Sequence, residues 1–343
     1  MSRRRSVALG LAGAVAALAG GASGTIKAVA RADRRRHFKG DAEPSRAVDA
    51  NLLEPPGTRH HSIETDDGAT LHLIELGDPS SRPLVLLHGL TLASRLWHHQ
   101  LQDLSSRFWV IAPDWRGHGR SSVGHDGIGL ERMAADLGVV LDRLDIHDAV
   151  VVGHSMGGMI LMRFCRDFPG VVRARIGRLV FLSTAATEVT ARFASVGSRL
   201  FRVIARRKPE WIEGMPIAVH GDLGYVMNRF GFGSRPSAVW VEQARDIRDE
   251  MSPVNAGKSL VSLLDHDERE TLPTIATPTL VMVGTHDRLT PERQARQIAD
   301  LVPGAEIVIF EGGGHMLMLE RRERFAQILG TFAGAHERPT SPS

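Results

Sequence analysis

The chain has 343 residues, 43% of them hydrophobic, with a formal net charge of +3 and a single cysteine. That apolar content supports a large buried core and excludes disorder for most of the chain, while a lone Cys165 excludes an intrachain disulfide framework and a cysteine-based metal site. Eight basic side chains and one acid fall in residues 1–36, so the remainder is mildly acidic; with no Lys/Arg stripe interleaved with aromatics after residue 40, nucleic-acid binding by the folded part is disfavoured.

Arg3-Arg4-Arg5 precedes an uncharged stretch from Ser6 to Ile26, which as a helix would just span a bilayer core of about 30 Å. Alanine and glycine dominate it, so signal peptide, signal anchor and surface-lying helix all stay open. Arg31, Arg34, Arg35 and Arg36 immediately downstream would resist translocation and suit anionic lipid headgroups. The expectation is a leader or anchor over residues 1–36 and a membrane-associated or cell-envelope protein, with a cytoplasmic one as the alternative. Residues 37–57 are polar and proline-bearing and read as a linker.

From residue 58 the patterning becomes regular. His61 to Leu76 alternates around Asp66-Asp67-Gly68, a hairpin signal. Short buried strands are predicted at Pro83–Leu87, Phe108–Ala112, Asp148–Val152, Arg178–Leu182, Pro278–Val283 and Ala305–Phe310. Helices are predicted between most of them, at Ser94–Leu104, Leu130–Leu144, Met156–Phe168 and Pro291–Leu301, with a closing helix at Leu317–Phe332. Such alternation implies an α/β fold, a doubly wound and mostly parallel sheet covered on both faces. Residues 186–272 interrupt the rhythm with amphipathic segments at Phe193–Ala205, Ser237–Met251 and Pro253–Leu264, the last with Ser252 as N-cap, and read as an inserted helical cap. The core therefore divides into residues 58–185 and 273–335, followed by a tail at 336–343.

Chemistry concentrates in Gly153-His154-Ser155-Met156-Gly157-Gly158, a serine on a glycine-flanked turn between a strand and a helix. Such a turn lifts the hydroxyl clear of the sheet, which is the geometry of a nucleophile elbow. A serine hydroxyl is a poor nucleophile near neutral pH and needs a base, itself oriented by a carboxylate. His315 follows the last strand on a glycine-rich loop, and Asp287 follows the strand before it. Loops at the C-terminal ends of parallel strands converge on one edge, so all three side chains should meet there. Glu188, after the strand ending at Leu182, is the alternative acid, whereas His286 has little claim. The N–H of Met156 and that of Leu90, in His88-Gly89-Leu90-Thr91, are the expected oxyanion donors. His88 is read as a structural histidine bonding the loop backbone, and Cys165 as core filler.

With the elbow, the His88-Gly89 pair, the Asp114-Trp115-Arg116-Gly117-His118-Gly119-Arg120-Ser121 block and the Asp287 and His315 loops together, the chain resembles the α/β-hydrolase fold superfamily over roughly residues 58–335. The elbow is similar to that of monoacylglycerol lipases and related esterases. The resemblance implies a Ser-His-Asp hydrolase that needs no cofactor or metal, with a cap that sets substrate choice; the Asp114–Ser121 loop would shape the site from below without a catalytic role. Relatives that open epoxides or dehalogenate carry aspartate at the elbow, so Ser155 points to acyl chemistry. The expected function is cleavage of small-molecule acyl esters, lipid-like or apolar, through an acyl-enzyme. A cofactor-free C–C hydrolase or perhydrolase, and a non-catalytic ligand-binding member, are the alternatives. His98 and Asp103 match a His-x4-Asp acyltransferase pattern, read as coincidence on a surface helix. Phe201, Ile204, Trp211, Met215, Phe230 and Trp240 are candidates for an acyl pocket or for packing the cap.

Overall fold

The computed structural model describes residues 27–32, 34–35, 54–187, 221–234 and 236–335. Eight strands form one sheet in the order β1-β2-β4-β3-β5-β6-β7-β8. The hairpin of β1 (Arg59–Glu64) and β2 (Thr70–Leu76) is antiparallel, as is β2 against β4 (Trp109–Pro113). The remaining pairings, among β3 (Pro83–Leu87), β4, β5 (Ala149–His154), β6 (Ile176–Leu182), β7 (Thr279–Gly284) and β8 (Glu306–Phe310), are parallel.

Strand periodicity explains how the sheet is covered. In β3, Val85 and Leu87 join one core while Leu84 and Leu86 join the other; in β5, Val151 faces the first and Val150 and Val152 the second. Because successive side chains point to opposite faces, a continuous aliphatic run builds two cores at once. Each such buried residue stabilises the fold by about 1.5–3 kcal/mol. The second core receives α1 (His98–Leu104), entered through a 3-10 turn at Ser94–Trp97. α2 (Leu130–Arg143) and α3 (Met156–Asp167) cover the first, and α4 (Pro169–Arg175) follows.

Between β6 and β7 the described residues form α5 (Gly221–Phe230), α6 (Ala238–Asp249) and α7 (Pro253–Ser262). Ser237 caps α6 through its side chain, accepting from the Val239 N–H at 3.3 Å. Ser252 does not cap α7 with its hydroxyl as expected: its carbonyl takes the Ala256 N–H, and Pro253 supplies the pre-set first turn. The chain continues through α8 (Glu292–Leu301), and the closing helix is broken into α9 (Leu317–Glu320) and α10 (Arg322–Gly334).

The hairpin turn is welded to the parallel part by Arg116, fully buried, which pairs with Asp67 at 2.8 Å and Asp136 at 2.7 Å. Removing either carboxylate would leave the buried guanidinium with one of its two anionic partners and with unmet donors. Two boundaries differ from the sequence reading. Glu54, inside the expected linker, bonds His60 on β1 at 3.1 Å, so the folded part begins at least there. Within the expected leader, residues 27–32 and 34–35 are helical and Ala30 is fully buried; the Arg34 guanidinium lies 4.2 Å above the Tyr225 ring of α5 and reaches Glu242 of α6 at 2.9 Å. One of the four arginines expected to meet lipid thus engages the helical insertion instead. Among the described residues no helix is long and apolar enough to cross a membrane. The Ser6–Ile26 stretch, most of the linker, the predicted helix at Phe193–Ala205, Glu188 and the tail lie outside the described residues.

Candidate active site

Ser155 joins β5 to α3 with φ 52° and ψ −119°, a backbone state that side chains rarely adopt. Its surroundings hold it there. A Cβ on Gly153 would meet the Gly158 Cα at 2.6 Å, so only glycine lets the strand run this close to the helix. The Ser155 N–H donates to the Leu182 carbonyl of β6, and its own carbonyl accepts from the Thr184 hydroxyl at 2.7 Å.

His315 and Asp287 arrive from the neighbouring loops. Asp287 Oδ2 lies 2.9 Å from His315 Nδ1 and both side chains are buried. A carboxylate only accepts, so Nδ1 carries a proton, and in the neutral tautomer that this bond selects the lone pair lies on Nε2. Asp287 is fixed by its own loop: Oδ1 accepts from the Leu289 and Thr290 N–H groups at 2.9 and 2.8 Å, and Oδ2 accepts from the Thr290 hydroxyl at 2.9 Å. That hydroxyl also lies 3.2 Å from His315 Nδ1. Thr290 was not singled out in the sequence; the Asp-x-x-Thr spacing that closes such a turn was its only local signal.

Gly89 and Leu90 run beside the serine, since a Cβ on Gly89 would lie 3.0 Å from the Ser155 Cβ. Their loop is anchored from below. His88 Nε2 accepts the Trp115 N–H at 3.1 Å, and burial holds its pKa down, keeping it neutral in the structural role expected for it. Asp114 Oδ1 accepts the Ser94 N–H at 2.6 Å; despite its burial, His72 and two backbone donors bring its carboxyl down to about 2. Met156 opens α3 directly after Ser155.

Leu90, Ser155 and His315 share one cavity of about 280 Å³. Its walls are apolar: Leu92, Met159, Leu289 and Met316 from the core, and Phe232, Ala244, Leu260 and Leu263 from the insertion, with Asn228 as the insertion's polar contribution. No Lys, Arg, Asp or Glu stands among the described lining residues.

A profile described as the alpha/beta hydrolase fold matches residues 82–322. The chain belongs to the α/β-hydrolase fold family. The AB hydrolase superfamily protein YisY of Bacillus subtilis is 28% identical over 283 residues, covering 80% of this chain and 99% of that protein. The solved esterase from Exiguobacterium antarcticum superposes with a TM-score of 0.69 at 23% identity, covering 80% and 99% of the two chains, a likeness of fold alone. A thermophilic esterase from Thermogutta terrifontis superposes at 0.67 with 25% identity, covering 80% and 97%. The protein is thus a hydrolase of this fold.

Of the other candidates in this α/β hydrolase, Glu188, Phe201, Ile204, Trp211 and Met215 lie outside the described residues, and the described ones fall away from the cavity. His286 is exposed. Phe230 is half exposed beneath the Arg288 guanidinium, and Trp240 packs against the second core; neither lines the cavity. His98 is buried rather than on a surface face, and Asp103 pairs with Arg322, so the two share no chemistry. Cys165 is buried and its thiol is pushed up to about 12 by desolvation, which makes it inert filler. Asp67, His125 and Asp126 are close enough to hold a cation, but Asp67 already faces Arg116 and Arg132, whose positive charge would repel one.

Proposed function

We propose that the protein is a serine carboxylic-ester hydrolase acting on small, uncharged, apolar acyl esters through an acyl-enzyme. The observation that carries this reading is a serine held in a strained turn and lining the same apolar cavity as a histidine whose Nδ1 is bonded to a buried aspartate at 2.9 Å. In this reading Ser155 attacks the ester carbonyl and His315 Nε2 takes its proton, then returns it to the departing alcohol. Asp287 holds the tautomer and faces the imidazolium, while the Leu90 and Met156 N–H groups receive the oxyanion. Water then repeats the sequence to release the acid. The absence of ionic side chains from the described lining favours an uncharged ester, and about 280 Å³ is at the small end for ligand cavities, favouring short acyl chains over long lipid tails.

The test is a p-nitrophenyl ester series from acetate to decanoate together with fluorophosphonate labelling. Labelling confined to Ser155, lost in Ser155→Ala, with turnover greatest at short chains, is expected. Folded wild-type protein that is neither labelled nor hydrolytic would sink the proposal. We further propose that the leader contacts anionic membrane surfaces through arginines other than Arg34, such as the exposed Arg31 and Arg35. Sedimentation of the full chain with anionic but not zwitterionic vesicles checks this.

A further inference from the structure

Residues 316–320 read Met-Leu-Met-Leu-Glu and all five are buried. An acid at the end of such a run needs a reason, because burial pushes the Glu320 carboxyl up and opposes its ionisation. Its partners supply one. Oε2 accepts the Gly233 N–H at 2.7 Å, and Oε1 accepts the Gly314 N–H at 3.1 Å and the Met316 N–H at 3.2 Å. Gly314 and Met316 are the residues on either side of His315.

The backbone of His315 itself is also engaged. Its N–H donates to the Gly231 carbonyl at 2.8 Å, and its carbonyl faces His154 Nε2 at 3.0 Å. A carbonyl only accepts, so His154 Nε2 carries the proton; burial keeps that ring neutral, well below the usual histidine range. The loop is therefore held by the residue next to Ser155 on one side and by the segment 231–233 on the other. That segment follows α5, which contributes Asn228 to the cavity, and Phe232 lines the cavity directly. Glu320 thus bonds both this segment and the histidine loop.

We infer that Glu320 is a positioning residue for His315, and that its bond to Gly233 makes the placement of the imidazole depend on the seating of the helical insertion. The inference rests on His315 being the base of the proposed reaction. Glu320 holds the peptide that follows His315 and the one before Gly314, and Gly231 holds the peptide between Gly314 and His315, so the Cα is fixed and Asp287 is left to set the ring. Glutamine at 320 would keep the volume but replace one acceptor oxygen with a donor that opposes an N–H. A displacement of about 1 Å at a proton-transferring group lowers turnover about 100-fold.

The experiment compares the full-length wild type with Glu320→Gln, Glu320→Asp and a control, Asp136→Asn, which breaks the buried Arg116 pair away from the cavity. Short-chain ester kinetics, thermal melting, the rate of fluorophosphonate labelling and the downfield proton resonance of His315 Nδ1 are measured on each. For folded Glu320→Gln, kcat should fall about 30- to 100-fold with KM within threefold, labelling should slow in parallel, and the downfield resonance should shift or broaden. Asp136→Asn should lose thermal stability without these changes. Should glutamine prevent folding, the shorter Glu320→Asp should show about a 3- to 10-fold loss of kcat. Wild-type kcat in folded Glu320→Gln, or in Glu320→Asp, overturns the inference, as does an equal kcat loss in Asp136→Asn at matched melting temperature. His315→Ala separates the layers: an active variant removes the base itself, whereas an inactive one beside a fully active Glu320→Gln removes only the clamp.

Discussion

The two edges of the sheet carry very different hollows. At the C-terminal ends of the strands lies the cavity of about 280 Å³ with Ser155 and His315 in apolar walls. At the opposite edge an open groove of about 1130 Å³ is lined by Arg82, Arg107, Arg175 and Arg178 together with Asp145 and Asp148. The larger hollow holds more charge, but that charge has structural employment. Arg82 pairs with Asp148 at 2.8 Å and donates to the Ala333 carbonyl at 2.7 Å; Arg107 donates to Gly330 and Arg178 to Ala335. These arginines tie the end of α10 to the starts of the strands. The smaller hollow holds buried titratable groups aimed at one point. Volume is therefore a poor guide to chemistry here, while an apolar lining with a few converging polar groups is a better one.

The strongest way to break this contrast is a pair of substitutions, one per edge. Asp287→Asn removes the charge facing the imidazolium and disturbs its tautomer, so kcat should fall by about 10³- to 10⁴-fold in steady-state ester hydrolysis. A loss below tenfold would move the acid elsewhere, Glu188 being the sequence alternative. Next comes the wall of the small cavity. Leu263→Phe should narrow it, and kcat/KM for butyrate relative to acetate should drop about tenfold, the scale set by one or two methylenes in an apolar pocket. An unchanged ratio would show that Leu263 does not bound the acyl chain.

Acid sharpens the comparison through stability. His118 and His266 are buried, with pKa values lowered by desolvation to about 3 and about 4 respectively; His88 and His154 are lowered in the same way. The unfolded chain binds protons on these rings below about pH 6.5 while the folded chain resists, so stability is present above 6.5 and is lost as pH falls toward the lowered values. Each ring contributes at most about 1.4 kcal/mol per pH unit. Urea midpoints at pH 7.5 and 5.5 should differ accordingly, and equal midpoints would contradict the burial of these histidines in neutral form. The smallest effect belongs to the groove: Arg82→Ala should lower stability by about 1 kcal/mol, because its Asp148 partner is largely exposed, and leave kcat within twofold.

The parallel core was legible because β-branched runs such as Val150–Val152 announce a strand buried on both faces, and their C-terminal ends bring Ser155, Asp287 and His315 to one edge. The closing helix was legible as a helix but not as two, since the kink at Arg321 leaves the apolar spacing intact. Side-chain periodicity reports which faces are dry, not where a particular N–H ends up. The bond from Gly233 to Glu320 spans 87 positions and that from Arg34 to Glu242 spans 208, and neither leaves a local mark. Thr290 and Asn228 escaped for the same reason: each is an ordinary loop or helix residue until the neighbouring segment arrives. The insertion was read as helices, but which of its apolar residues face the cavity depends on docking, so Phe232, Leu260 and Leu263 take places that the pattern had offered to Phe230 and Trp240.

Ser155 lives at φ 52° in a turn that glycine would enter without a steric penalty. An exchange to glycine there should therefore raise resistance to heat while removing the hydroxyl to which the proposed reaction assigns the attack, a reciprocal relation expected at a strained functional residue. Selection for robustness alone would drift toward the inert version. Under the proposed reaction the serine would mark a position where durability is surrendered for reactivity, and melting the glycine variant beside the wild type would measure how much.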